Sequence, residues 1–434
     1  MEARMNYTEA RAFIDQISAK GSLLGLGPIT NLLSFLGNPQ DELKFIHVAG
    51  TNGKGSVLAY LASVLQEAGY LVGRYISPTL FSYRERIQVN QEYIGREEFA
   101  ALVTRTAEAI EKMKEHKMAL PTVFEVETAV SFLYFAQRKC DLVLLEVGMG
   151  GRLDATNVIQ TPVLTVLTSI SMDHMAFLGD TLGEIAWNKA GIFKQGVQAV
   201  CAQQDPEAEM VIRDVTGQVG CPCTFADWDM ISDVRYGLWE QSFSYGEFED
   251  VKIRLAGPHQ IQNATLALAC IRALRCNYAI PDTAVKKGMY ETTWKGRFTP
   301  ICRNPLIILD GAHNPDAALR LRSAIEQYFP DRKKYYIFGV FSDKEYDKII
   351  EITAGLAEHI ITVATPDNPR ALPADALAQA VRRVNPSVEP SGSIREAVEK
   401  SLALAGQEDV IVIFGSLSFL ALAEQAVQEC TKRQ

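Results

Sequence analysis

The chain is 434 residues long, 47% hydrophobic and 22% charged, with a formal net charge of −9. Such a length sets an expectation of two or three compact units with a substantial core, and the acidic balance speaks against a nucleic-acid-binding surface, which carries a basic excess. The eight cysteines are scattered, and the one close-set pair, Cys221 and Cys223, lacks C-x-x-C spacing, so reduced thiols in a cytoplasmic chain fit better than a disulfide framework or a zinc site.

The N-terminal stretch MEARMNYTEARAFIDQ is charged and has no apolar signal core, and no later stretch approaches membrane-span length, so no membrane partner is expected. Residues 44–50 (KFIHVAG) read as a short apolar strand, and 56–69 as a helix with Gly69 as its cap. Between them lies GTNGKGS. The usual phosphate loop, G-x-x-x-x-G-K-[ST], has its hydroxyl directly after the lysine. Here Gly55 follows Lys54, Ser56 comes one place late, and Val48 stands where the first glycine would be. Gly50, Gly53 and Gly55 still let backbone N–H groups turn toward a phosphate, with Lys54 adding a charge and the helix N-terminus its positive end. The bland alternative is an ordinary glycine-rich turn. Strand, glycines, lysine, hydroxyl and helix in that order favour phosphate, while the late serine directs the search for metal ligands to other strand ends.

Ser77 ends another strand in YISPTL, where a turn serine is the plain reading. Residues 122–139 read as an amphipathic helix after Pro121, and 141–148 and 162–171 as continuous apolar strands of a parallel sheet covered on both faces. Glu146 closes the first of these strands, where a carboxylate is costly unless paired or metal-bound. The following GMGG does not have dinucleotide-loop spacing. Asp173-His174 follows the next strand; taken alone, such a pair is more often a hydrogen-bonded cap. Lys189 lies on a helix one turn from Ile185 and Ile192, toward the core side, although a helical lysine is normally solvated. Residues 228–256 read as short antiparallel strands at a domain edge.

After Trp294 the rhythm restarts, with strands at 305–311, 333–341, 359–365 and 409–415 alternating with helices at 314–327, 344–357, 372–384 and 416–430. The expected architecture is α/β: a larger doubly wound P-loop ATPase-like domain over 1–298 and a smaller Rossmann-like domain over 299–434. Ligands are expected at the carboxyl ends of the strands and in the cleft between the domains. LDGAHNP places Asp310, His313 and Asn314 at a strand-to-helix turn, with Asn314 suited to cap the helix ahead of Pro315. KGRF puts Arg297 at the boundary, and GPHQIQN starts a helix with His259 and Asn263 on one face.

GTNGKGS, YISPTL, RERI, LLEVGMGGRLDATN, SISMDH, NKAGIFK, GPHQIQNA, KGRF, ILDGAHNP and FGSL occur in this order along almost the whole chain. Together they resemble the folylpolyglutamate synthase family, including its bifunctional dihydrofolate synthase members, which are relatives of the Mur ligases. The family writes its phosphate loop with the late serine. The resemblance implies that Gly53, Lys54, Gly55 and Ser56 hold ATP phosphates, with Asn263, Arg297 and Asp310 also binding nucleotide. It implies two magnesium ions, one on Ser77 and Glu146, the other on His174, Glu146 and a carbamylated Lys189. Lys54, His174, Lys189 and Arg297 would act on the reacting groups. Thr122, Phe124, Glu125, Arg152, Leu153 and Asp154 would line the folate, and His313 and Ser416 would meet the incoming L-glutamate. The implied enzyme is a monomeric ATP-dependent ligase acting on folate or dihydropteroate through an acyl phosphate. A Mur-type ligase for nucleotide-linked peptides, a P-loop NTPase switch and a non-catalytic nucleotide-binding module are the rival readings.

Overall fold

The computed structural model describes residues 4–18, 25–173, 175–366 and 368–431. Chain contacts divide it into two units, Met1–Ile231 with Asn263–Glu291, and Ser232–Gln262 with Thr292–Gln434.

In the first unit, β1 (Phe45–Ala49), β2 (Val72–Tyr75), β3 (Ile87–Val89), β4 (Glu92–Tyr93), β5 (Leu142–Glu146), β6 (Leu164–Leu167), β7 (Ala199–Cys201) and β8 (Cys223–Phe225) form one sheet. Its order is β4-β3-β2-β5-β1-β6-β7-β8. The strands from β2 to β8 in that row pair in parallel, and the β3–β4 hairpin is antiparallel. β1 lies inside the row between β5 and β6, and every residue of these three strands is buried. The connection after β1 runs toward β2, whereas the one after β5 crosses to β6. That reversal opens a crevice at the carboxyl ends of the central strands.

The helix Val123–Arg138 departs from the amphipathic expectation, because it is buried continuously from Glu125 to Phe135. Its polar face is paired off instead of solvated. Glu127 accepts from both Arg86 and Tyr83, and the Thr128 hydroxyl donates to the Phe124 carbonyl (2.7 Å). Burial pushes the Glu127 carboxyl up, with Arg86 and the Tyr83 hydroxyl opposing. A buried carboxylate is tolerable only with such partners.

The second unit holds β9 (Ile231–Arg235), β10 (Gln241–Tyr245) and β11 (Phe248–Ile253) as a small sheet. β12 (Thr299–Arg303), β13 (Leu306–Leu309), β14 (Lys334–Phe338), β15 (His359–Thr362), β16 (Val388–Pro390) and β17 (Val410–Phe414) form another, of order β12-β13-β17-β14-β15-β16. All its pairs except β12–β13 are parallel. The three-stranded sheet groups with this unit, although a boundary at 298 would put it with the first. Gln241 shows why: it donates to the carbonyls of Leu255 (2.7 Å) and Gly257 (3.1 Å) and accepts from the Tyr328 hydroxyl (2.6 Å). Among the described residues, no helix is long and apolar enough to cross a membrane.

The helix Lys54–Glu67, which follows the glycine loop, is buried from Ser56 to Leu65. The helix Asp282–Glu291 packs on it at Gly288, where a Cβ would stand 2.5 Å from the Val64 Cα. Alanine is a better helix former than glycine by about 1 kcal/mol, but overpacking against backbone costs about 1–3 kcal/mol. Gly288→Ala is therefore expected to lower the melting temperature by a few degrees; a rise in a thermal melt would show that propensity outweighs the contact.

Candidate active site

β1 hands the chain to Gly50 at φ 146° and, after Thr51 and Asn52, to Gly53 at φ 90°. These conformations favour glycine, and space demands it as well. A Cβ on Gly50 would lie 1.8 Å from Thr168 Oγ1, and one on Gly53 would lie 2.5 Å from Asn263 Oδ1. Gly53 caps the helix Lys54–Glu67, so N–H groups and the positive helix end face the loop. Asn263 is thus brought against the loop by the helix Pro258–Leu274.

Two lysines converge on one carbonyl here. Lys54 Nζ donates to Gly50 O (3.0 Å) and Thr51 O (3.2 Å). Lys189 Nζ, from the last turn of the helix Leu182–Lys189, donates to the same Gly50 oxygen at 2.9 Å. Lys189 is buried, and its amine is pushed down to about 7, chiefly by burial and then by Lys54, with Asp173 and Asp154 opposing. Near neutral pH much of this amine is therefore the free base, the form that reacts with electrophiles.

Glu146, buried at the end of β5, accepts from the Ser77 backbone N–H at 3.2 Å, so the structure brings Ser77 and Glu146 together. A carboxylate and a hydroxyl are the hard oxygen donors that magnesium takes, so these two residues fit that ion by their chemistry. Lys189 as an amine does not; only its carbamate would supply oxygen. His174 lies outside the described residues. Among the described residues, no cluster of three or more His, Cys, Asp or Glu side chains could hold a metal.

Of the six residues expected along the folate, Glu125 and Asp154 are buried, Thr122, Phe124 and Arg152 are partly exposed, and Leu153 is exposed. Thr122 and Glu125 form a reciprocal cap on the helix Val123–Arg138: Thr122 N–H donates to Glu125 Oε2 (2.7 Å) and Glu125 N–H to the Thr122 hydroxyl (3.4 Å). Asp154 is buried and accepts from the N–H groups of Met149 (2.9 Å) and Thr156 (3.0 Å) and from the Thr156 hydroxyl (2.5 Å). Burial pushes its carboxyl up, against those hydrogen bonds. Thr156 also meets His47 Nε2 at 2.8 Å, and burial holds that imidazole neutral by lowering its pKa to about 3. Thr122, Glu125 and Asp154 therefore direct polar atoms at their own backbone. Phe124 is partly exposed and packs on Gly148, where a Cβ would lie 2.6 Å from its ring. The Arg152 guanidinium stacks on Trp187 at 3.8 Å, and Leu153 is exposed.

In the second unit, the end of β13 brings Arg297, Asp310 and Gly311 together. Asp310 is buried and accepts from the N–H groups of Phe298 (2.7 Å) and Ala312 (2.8 Å). Burial raises its carboxyl pKa, with Arg297 and those N–H groups opposing. A Cβ on Gly311 would lie 2.2 Å from Arg297 Nη1. His313 Nδ1 donates to the Gly311 carbonyl (2.7 Å), and Asn314 caps the helix Pro315–Tyr328 through Ala317 N–H (2.8 Å). Ser416, past the end of the neighbouring strand β17, is buried with its hydroxyl 2.6 Å from that of Ser418. The sequence did not single out His47, Thr156 or Thr168; of these, only His47 carried a signal, as a polar residue inside an apolar strand.

Residues 48–271 match the Mur ligase middle domain and 296–417 the Mur ligase glutamate ligase domain. The chain is 37% identical over 430 residues to the dihydrofolate synthase/folylpolyglutamate synthase of Bacillus subtilis, covering 96% of this chain and 97% of that one. It belongs to the folylpolyglutamate synthase family of Mur ligases. The family's folylpolyglutamate synthase from Lacticaseibacillus casei is 34% identical over 435 residues, 98% of this chain and 99% of that protein. The folylpolyglutamate synthase of Mycobacterium tuberculosis, solved with ADP and AMPPCP, superposes with a TM-score of 0.89 at 28% identity, covering 99% of this chain and 100% of that one. For this member of the family, Lys54→Ala is expected to cut turnover by about 10²–10³-fold, the usual effect of removing one positioned electrostatic group. Steady-state ADP release measures it, and wild-type turnover in the variant would remove Lys54 from the chemistry.

Proposed function

We propose that this ligase joins the amine of L-glutamate to a carboxylate of a folate, driven by ATP. The supporting observation is the meeting of Lys54 and Lys189 at the Gly50 carbonyl, on a glycine loop that opens a helix N-terminus. A folate carboxylate oxygen attacks the γ-phosphorus, the bond to the ADP oxygen breaks, and an acyl phosphate forms. The glutamate amine then attacks the acyl carbon, loses a proton and expels inorganic phosphate. Both partners in the first step are anionic, so the step depends on positioning and concentrated positive charge. Lys54 and the loop N–H groups supply it around the phosphates, and Arg297 is a further cation of the proposed nucleotide set. Asn263 and Asp310 hold the nucleotide. Ser77 and Glu146 would hold one magnesium ion, and Glu146, His174 and carbamylated Lys189 a second. When bound, magnesium neutralises developing phosphate charge.

Partly exposed Phe124 and Arg152 and exposed Leu153 present apolar, cationic and aliphatic surface for the folate, on a frame set by Thr122, Glu125 and Asp154. His313 and Ser416 receive the glutamate. A second reading, that dihydropteroate is also an acceptor, is favoured by the Bacillus subtilis relative, which is named for both activities. ADP release with Mg-ATP and L-glutamate tests both readings. Release with tetrahydrofolate alone is expected from a polyglutamylating ligase, and release with dihydropteroate as well from a bifunctional one. Release with neither would overturn the folate assignment.

The carbamate at Lys189 forms when the free amine adds to CO2 and releases a proton. The lowered amine pKa makes the sign of its pH dependence definite: the reactive free base falls away below about pH 7 and dominates above it. Bicarbonate added to CO2-depleted enzyme is expected to restore activity at pH 8 and much less at pH 6, with a carbamate signal from ¹³C-bicarbonate that Lys189→Gln abolishes. Full activity in CO2-depleted enzyme without that signal would refute the carbamate.

A further inference from the structure

The backbone of the phosphate loop is held in place by the segment that follows β6. Thr168 N–H donates to Ala49 O (2.9 Å), Thr51 N–H to Ser169 O (2.8 Å), Ser171 N–H to the Thr51 hydroxyl (3.1 Å) and the Ser169 hydroxyl to Asn52 O (3.2 Å). Thr168 is also the residue against which Gly50 has no room for a Cβ. Residues 168–171 thus form the floor of the loop, yet they lie beyond the end of β6. The bond from Ala202 N–H to Leu167 O (2.7 Å) joins the two chains just past β7.

Gln204 continues the pairing with its side chain. Its Nε2 donates to Thr168 O at 2.9 Å, and its Oε1 accepts from Ile170 N–H at 2.9 Å. Donation to the carbonyl of one residue and acceptance from the N–H two residues on is how a peptide pairs with a parallel strand. The carboxamide therefore adds one more rung between the two chains. Only a primary carboxamide at this reach offers both halves: glutamate lacks the donor, and methionine matches the length with neither.

We propose that Gln204 is a positioning residue for nucleotide binding, setting the register of 168–171 and through them the Gly50–Lys54 loop. The inference rests on the assignment of that loop to the ATP phosphates. It is tested by calorimetric titration of Mg-ADP and Mg-AMPPCP into wild type, Gln204→Met and Gln204→Glu, alongside KM for ATP and for the folate acceptor and thermal melts without ligand. Loss of one or two ordinary hydrogen bonds predicts a nucleotide Kd and an ATP KM raised roughly tenfold in both variants, with the acceptor KM unchanged. A purely structural role would lower the melting temperature and leave the nucleotide Kd alone, and that result overturns the proposal, as does an equal rise in acceptor KM. Should the methionine variant fail to fold, the near-isosteric glutamate variant still decides. Wild type that binds no nucleotide would instead overturn the loop's assignment, and the inference with it.

Discussion

One carbonyl oxygen, that of Gly50, organises the first unit's site. It accepts from both Lys54 and Lys189, two side chains that would repel each other as ammonium ions. The arrangement is stable because burial and that repulsion favour the neutral amine at Lys189. It also requires Gly50 to turn its carbonyl inward at a positive φ, with no Cβ, beneath the side chain of Thr168. A phosphate oxygen is a stronger acceptor for an ammonium than a peptide carbonyl is, so under the proposed nucleotide role Lys54 would exchange this oxygen for a phosphate.

Around that point, both units handle buried carboxylates in the same way. Asp154 and Asp310 each sit past a strand end and accept two backbone N–H groups, which shapes the following turn. Glu146, at the end of β5, accepts from the Ser77 N–H. In the first unit the bracing by Asp154 continues through Thr156 to the neutral ring of His47 on β1, linking the turn after β5 to the strand that launches the phosphate loop.

Much of this was legible in the sequence because parallel strands buried on both faces write themselves as unbroken apolar runs. β1, β5, β6, β13, β14, β15 and β17 all announced themselves in that way, and Asn314-Pro315 spelled a helix start. The short β16, whose segment ends in Pro390, left no such run. What stayed hidden depends on distant pairing. Glu127 was not singled out within the helix read at 122–139, because its partners Arg86 and Tyr83 lie 41 and 44 residues away. Lys189 read as a core-side lysine, but its acceptor lies 139 residues earlier. Thr122-x-x-Glu125 was readable as a cap, yet as part of a family motif it was read only as a ligand contact. Gln204 sits in an unremarkable polar stretch, and nothing local distinguishes a side chain that stands in for a strand.

The row of strands has a further consequence for how the protein can be altered. β4 stands four ladder steps from β1, about 19 Å at roughly 4.8 Å per step. Its turn to β3 passes through Asn90 and Gln91, both at positive φ and joining antiparallel strands on the sheet's margin. A hairpin tip of this kind can take inserted sequence with little effect on the interior. The crevice is anchored on β5, β1 and β6, so this margin offers an attachment point for a fluorophore or a surface tether away from the proposed site.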